Sequence, residues 1–62
     1  MNQIKIKRMQ KGYTIKKLAQ LSHISPGYLC HLENGTRANP SMETMEKIAK
    51  ALNIGIAELF LL

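Results

Sequence analysis

Signals that start and stop helices recur so closely along this chain that no helix longer than about three turns fits between them. Gly12 closes a first segment, roughly 2–11, because glycine accepts the left-handed backbone favoured just past a helix end. Thr14 caps a second, 15–22, with its hydroxyl accepting an early backbone N–H. Ser25-Pro26 is the sharpest signal. Serine is a preferred N-cap, and proline at the first helical position gives up an N–H that has no helical partner anyway. A third helix is therefore predicted over 26–34, ended by Asn34-Gly35. A loop leads to Ser41, the cap of a fourth helix over 42–52, which Asn53 ends. Gly55 opens a last one, 56–61.

Apolar spacing agrees. Leu18 and Leu21 lie three apart, as do Leu29 and Leu32. Met42, Met45, Ile48, Ala49 and Leu52 form a stripe on the fourth helix, with Glu43–Lys47 and Glu46–Lys50 as i,i+4 pairs in the favourable order. The four methionines are expected as core filler. Ile6 and Met9 lie away from Ile4 on the first helix, so part of that helix is expected to show apolar surface. Nothing alternates with period two, and no sheet is expected. The fold class that follows is all-α: one domain of five helices over 1–62.

A chain of 62 residues buries only about 60% of its unfolded surface, so it needs short loops, efficient packing or a partner subunit. Its apolar runs are far short of a membrane span, and no apolar stretch follows the basic start. A cytoplasmic protein is the expectation. Cys30 is the only cysteine, which excludes an internal disulfide, and a buried or half-buried thiol is expected. His23, Cys30 and His31 lack the spacing of a metal site, so no cofactor or metal is expected. With no Asp and two His, the chain offers no plausible acid–base set, and an enzyme is not expected. Charge is more informative. The net charge is +5, and Lys5, Lys7, Arg8, Lys11, Lys16 and Lys17 all lie in the first 17 residues. The acids, Glu33, Glu43, Glu46 and Glu58, all lie in the second half. A basic half on so small a domain points to a polyanion or to a merely solvated surface; charge alone does not choose.

The run Thr14-Ile-Lys-Lys-Leu-Ala-Gln-Leu-Ser-His-Ile-Ser-Pro-Gly-Tyr-Leu-Cys-His-Leu-Glu-Asn-Gly35 resembles the helix-turn-helix of the Cro/CI-type (XRE-like) family of phage repressors and bacterial regulators. Leu18-Ala19 is similar to the Leu-Ala of its second helix, Ile24-Ser25 to the turn exit, and Leu32-Glu33-Asn34-Gly35 to the end of its recognition helix. Pro40-Ser41, Lys47 to Leu52 and Glu58-Leu59-Phe60 continue the likeness in order. The resemblance implies a compact lambda-repressor-like domain that binds double-stranded DNA and regulates transcription, as a repressor. It also carries departures. His23 stands where the family usually has glycine, which implies a left-handed histidine. Ile15 stands where many relatives place a polar residue that reaches DNA. The matching positions for a buried Arg–Glu bridge are Arg8 and Glu33.

In such motifs the recognition helix lies in the major groove. The resemblance assigns base contact to Ser25, Pro26, Gly27, Tyr28 and His31, with Cys30 on the same face and Leu29 and Leu32 turned inward. It assigns phosphate contact to Thr14, Lys16, Lys17, Asn34, Thr36 and Arg37. No Arg, Gln or Asn precedes Asn34 on this helix, so modest direct readout is expected. One such domain covers little DNA, which implies a homodimer on a near-palindromic site. Ile54, Ile56, Leu59, Phe60, Leu61 and Leu62 serve either the subunit contact or the domain's own core. The competing reading is a protein-interaction module, such as an antitoxin or regulatory partner. RNA binding is disfavoured by the lack of interleaved aromatics.

Overall fold

The computed structural model describes residues 3–35 and 40–60, within which five α-helices form and no strand does. They are α1 (Ile4–Gln10), α2 (Ile15–Ser22), α3 (Pro26–Asn34), α4 (Met42–Leu52) and α5 (Ile56–Phe60). Lys11 lies just outside α1, as its C-cap, and Gly12 follows with φ +76°. Asn2 and Leu61, expected at helix ends, fall outside the described residues, as do Met1 and Leu62.

Local chemistry sets the helix starts. Thr14 Oγ1 accepts from the N–H of Lys17 at 3.0 Å, Ser25 Oγ from Tyr28 at 3.3 Å, and Ser41 Oγ from Thr44 at 3.1 Å. The ends of α2 and α4 share one device. His23 and Asn53 take the left-handed conformation, φ 59° and 58°. The next residue, Ile24 or Ile54, then donates its N–H back to Ala19 or Ala49, each at 3.1 Å. Both isoleucines also pack against the core, the apolar contact that accompanies such endings. The left-handed histidine implied by the resemblance is present.

Ile4, Leu18, Ala19, Leu29, Leu32, Ile48, Ala49, Leu52 and Leu59 make one buried cluster drawn from all five helices. α2 packs on α3 and α4, α4 on α5, and α1 on α3, α4 and α5. The Gln3 N–H bonded to the Leu59 carbonyl at 2.8 Å ties the start of α1 to α5. Leu59 is fully buried, with Ile54, Ile56 and Phe60 packed against the cluster, so these residues close the domain's own core.

Three expectations are corrected. Leu21 is 41% exposed, and the interior place on α2 goes to Ser22. Buried positions 18, 19 and 22 define that face, and Leu21 falls to its side. Ser22 is tolerated inside because its hydroxyl donates to the Leu18 carbonyl at 2.7 Å. The methionines are not uniformly core filler: among the described residues Met9 and Met42 are 61% and 55% exposed, and Met45 is half-buried. Met42 is the first residue of α4, and a periodic stripe says nothing about whether a neighbour covers its end. Of the two i,i+4 pairs, Glu43–Lys47 closes at 3.5 Å and Glu46–Lys50 does not; on a wet surface side-chain entropy offsets so small a gain. Ile6 and Met9 are exposed as expected.

One polar contact pins α1 to α3. Arg8 Nε donates to Glu33 Oε2 at 2.7 Å and Nη2 to Oε1 at 3.2 Å, a two-point pairing. Nη1 donates to the Tyr13 carbonyl at 2.8 Å, which adds the α1–α2 turn to the same guanidinium. The side chains are 12% and 4% exposed, so each charge has little water to fall back on. Arg8→Ala and Glu33→Ala are each expected to cost about 3 kcal/mol or more in urea unfolding, and the double variant less than the sum, because only single removal strands a charge. His23→Gly is expected to raise stability by about 1 kcal/mol by removing the left-handed strain, read from the same unfolding midpoint.

Candidate nucleic-acid interface

α3 divides cleanly. Leu29 and Leu32 are buried, Tyr28 and Glu33 are half-buried, and Ser25, Pro26, Gly27, Cys30, His31 and Asn34 are exposed. Gly27, Cys30, His31 and Asn34 stand at i, i+3, i+4 and i+7, which is one stripe along the helix. The helix is thus held by one side and open along the other. A rod of nine residues with one free face matches what a DNA major groove admits.

The residues assigned to base contact split over this division. Ser25, Pro26, Gly27 and His31 lie on the open side. Tyr28 packs against the core cluster, which leaves it the least available of the five. Cys30, whose type alone suggested a buried or half-buried thiol and which the resemblance placed on the DNA-facing side, is exposed, as its place in the stripe requires. A small thiol fits inside or outside equally well, and residue type alone does not decide. The Asn34 side-chain amide donates to Cys30 Sγ at 3.6 Å, a contact with no separate sequence signal beyond the i,i+4 spacing.

Among the residues assigned to phosphate contact, Thr14, Lys16, Lys17 and Asn34 are exposed. Thr36 and Arg37 lie outside the described residues. Thr14 spends its hydroxyl on the Lys17 N–H, so the N–H groups of Ile15 and Lys16 remain the orphan donors of the first turn. Orphan donors beside two lysines make a setting suited to an anion. Ile15 is half-buried against the core instead of reaching out. Arg8 is spent in the bridge with Glu33 and is not part of the open surface. No group of three or more His, Cys, Asp or Glu residues is arranged to hold a metal ion among the described residues.

Comparison with known proteins places this geometry. The helix-turn-helix family model matches residues 4–59. The chain is 39% identical over 57 residues to the HTH-type transcriptional regulator SlrR of Bacillus subtilis (strain 168), covering 92% of this chain and 38% of SlrR. Two similar structures are of SinR. One, a complex with SinI, has a TM-score of 0.85 at 31% identity, covering 89% of this chain and 53% of that one. The other, the master regulator for biofilm formation SinR in complex with DNA, has a TM-score of 0.84 at 31% identity, covering 87% and 86%. The chain spans about half, or less, of the length of the curated relatives it matches. A match over nearly every described residue, with the same fold at this identity, means that this chain belongs to the XRE-type helix-turn-helix family.

Proposed function

We propose that the chain is the DNA-binding domain of a transcriptional repressor, which enters the major groove of double-stranded DNA with α3. The observation that carries this is the open stripe Gly27–Cys30–His31–Asn34 on a helix whose other side is anchored by Leu29 and Leu32. SinR, of the same fold, has been solved on DNA. In this reading Ser25, Pro26, Gly27 and His31 meet base edges, with Tyr28 at their margin. Thr14, Lys16, Lys17, Asn34, Thr36 and Arg37 meet phosphates, which fix register without reading sequence. Arg8 and Glu33 work at a distance, by holding the C-terminal part of α3 to α1.

Two copies would bind a near-palindromic site, their recognition helices about one helical turn of DNA, roughly 34 Å, apart. The setting is cytoplasmic, in keeping with the absence of any membrane-length apolar helix among the described residues. The family is not an enzyme class, and the proposed role needs no catalysis and no cofactor. A second reading, a protein-interaction module, is kept in view by the SinR complex with SinI. One protein of this family can hold both roles.

A gel shift against random duplexes at low and high salt tests the proposal. Binding is expected at low salt, and each phosphate neutralised by Lys or Arg adds about 0.9 to the log–log salt slope. Lys17→Ala should leave helicity intact, weaken binding to all sequences alike, and lower that slope by about one. Failure to bind any duplex at either salt would favour the protein-interaction reading.

A further inference from the structure

The C-terminal end of α2 and one side of α4 leave an open cleft of about 420 Å³ between them. It is lined by Leu21, Ser22, His23, Lys47, Lys50 and Ala51, none of which is among the residues assigned to base or phosphate contact. Ser22 turns its hydroxyl inward onto the Leu18 carbonyl, so its side chain is already partnered. The apolar part of the lining is Leu21, 41% exposed, and Ala51, half-buried. A single exposed leucine on a convex surface is ordinary. Leu21 faces a concavity instead, where one apolar side chain can displace the water that covers it.

Charge adds an independent observation. Lys47 and Lys50 stand three apart on α4, and Lys47 and Ala51 four apart, so both lysines border the apolar floor. His23 borders it from the other side, exposed, as the left-handed C-cap of α2. None of the chain's four acids lines the cleft. Lys50 makes no ion pair among the described residues. Lys47 meets Glu43 at 3.5 Å, with side chains 43% and 79% exposed, a wet pair that another carboxylate can replace at little cost.

An occupant that fits both observations is apolar at one point and anionic around it. DNA answers only half of this. Its phosphates suit the lysines, but its backbone brings nothing for Leu21 and Ala51. A small molecule would stay half in water, because only α2 with its cap and α4 border the cleft. A peptide segment supplies its own backbone as cover. We propose that this cleft docks an acidic segment of a partner protein, which seats one large apolar side chain between Leu21 and Ala51 and sets carboxylates against Lys47, Lys50 and His23. The inference is independent of the reading of α3, since it needs no DNA.

Three sets of short synthetic peptides supply the test: one leucine among glutamates, one alanine among glutamates, and one leucine among lysines, each at varied spacing. They are titrated into the isotope-labelled 62-residue chain and followed by amide spectra. The leucine–glutamate set should move the amides of residues 21–23 and 47–51. Alanine in place of the leucine should weaken binding about tenfold or more, the worth of one buried side chain of that size. The lysine set should leave the cleft unmoved. Lys50→Glu should weaken the leucine–glutamate peptides about tenfold, and Leu21→Ala about fivefold. Both variants should melt within a few degrees of wild type, because both positions are exposed. Lys50→Gln should bind duplex DNA with the wild-type salt slope. A slope lower by about one, with no peptide bound, would make the lysine a phosphate contact and overturn the proposal. Equal binding of the lysine set would overturn it too, as would leucine–glutamate peptides that move nothing at the cleft at millimolar concentration. The peptide result decides the matter whether or not the chain binds DNA.

Discussion

Everything functional in this domain depends on α3 being gripped from one side only. A nine-residue helix is too short to persist alone in water. It persists here because Leu29 and Leu32 are fully buried against the other helices and because Glu33 is clasped by Arg8. Those contacts use one face. The stripe from Gly27 to Asn34 is left exposed, outside the apolar contacts that hold the helix.

The Arg8–Glu33 pair has a second consequence. Burying two charges is costly, and a pair of apolar residues would stabilise the helix junction as well or better. What an ion pair adds is geometry: two parallel hydrogen bonds plus a third to the Tyr13 carbonyl fix the relation of α1, the α1–α2 turn and the last turn of α3. In the proposed role α3 needs that kind of fixing, since a tilt would move its exposed residues relative to the bases. The left-handed His23 does similar work at the other end, setting the sharp turn between α2 and α3 at the expense of backbone strain. One end is held by charge and the other by conformation, with the apolar cluster between them.

How much of this was legible in the sequence follows from how local each feature is. The caps at Thr14, Ser25 and Ser41 and the stops at Gly12, Gly35 and Asn53 act over three or four residues, and all are where the sequence puts them. The Arg8–Glu33 pair spans 25 positions and was legible only through family resemblance, because no short-range pattern links the two. The failures share a physical cause. Leu21, Met42 and Cys30 are residues whose type suits burial, yet exposure is decided by whether another helix passes over them. Ser22 is the converse, a polar residue made acceptable inside by its own helix carbonyl. At the interface, spacing pointed to Leu29 and Leu32 as the inward pair and the resemblance supplied the open side, whereas the withdrawal of Tyr28 toward the core followed from neither, since a long aromatic at the edge of a stripe fits either side.

The most direct test of one-sided exposure is a map of where DNA touches the chain. Amide spectra of the labelled protein, recorded as a 20-base-pair duplex is added, report that at each residue. The account requires the changes to concentrate at residues 14–17 and 25–35, with buried Leu52 and Leu59 and the whole of α5 nearly unmoved. Changes centred on α4 and α5, with α3 silent, would contradict it.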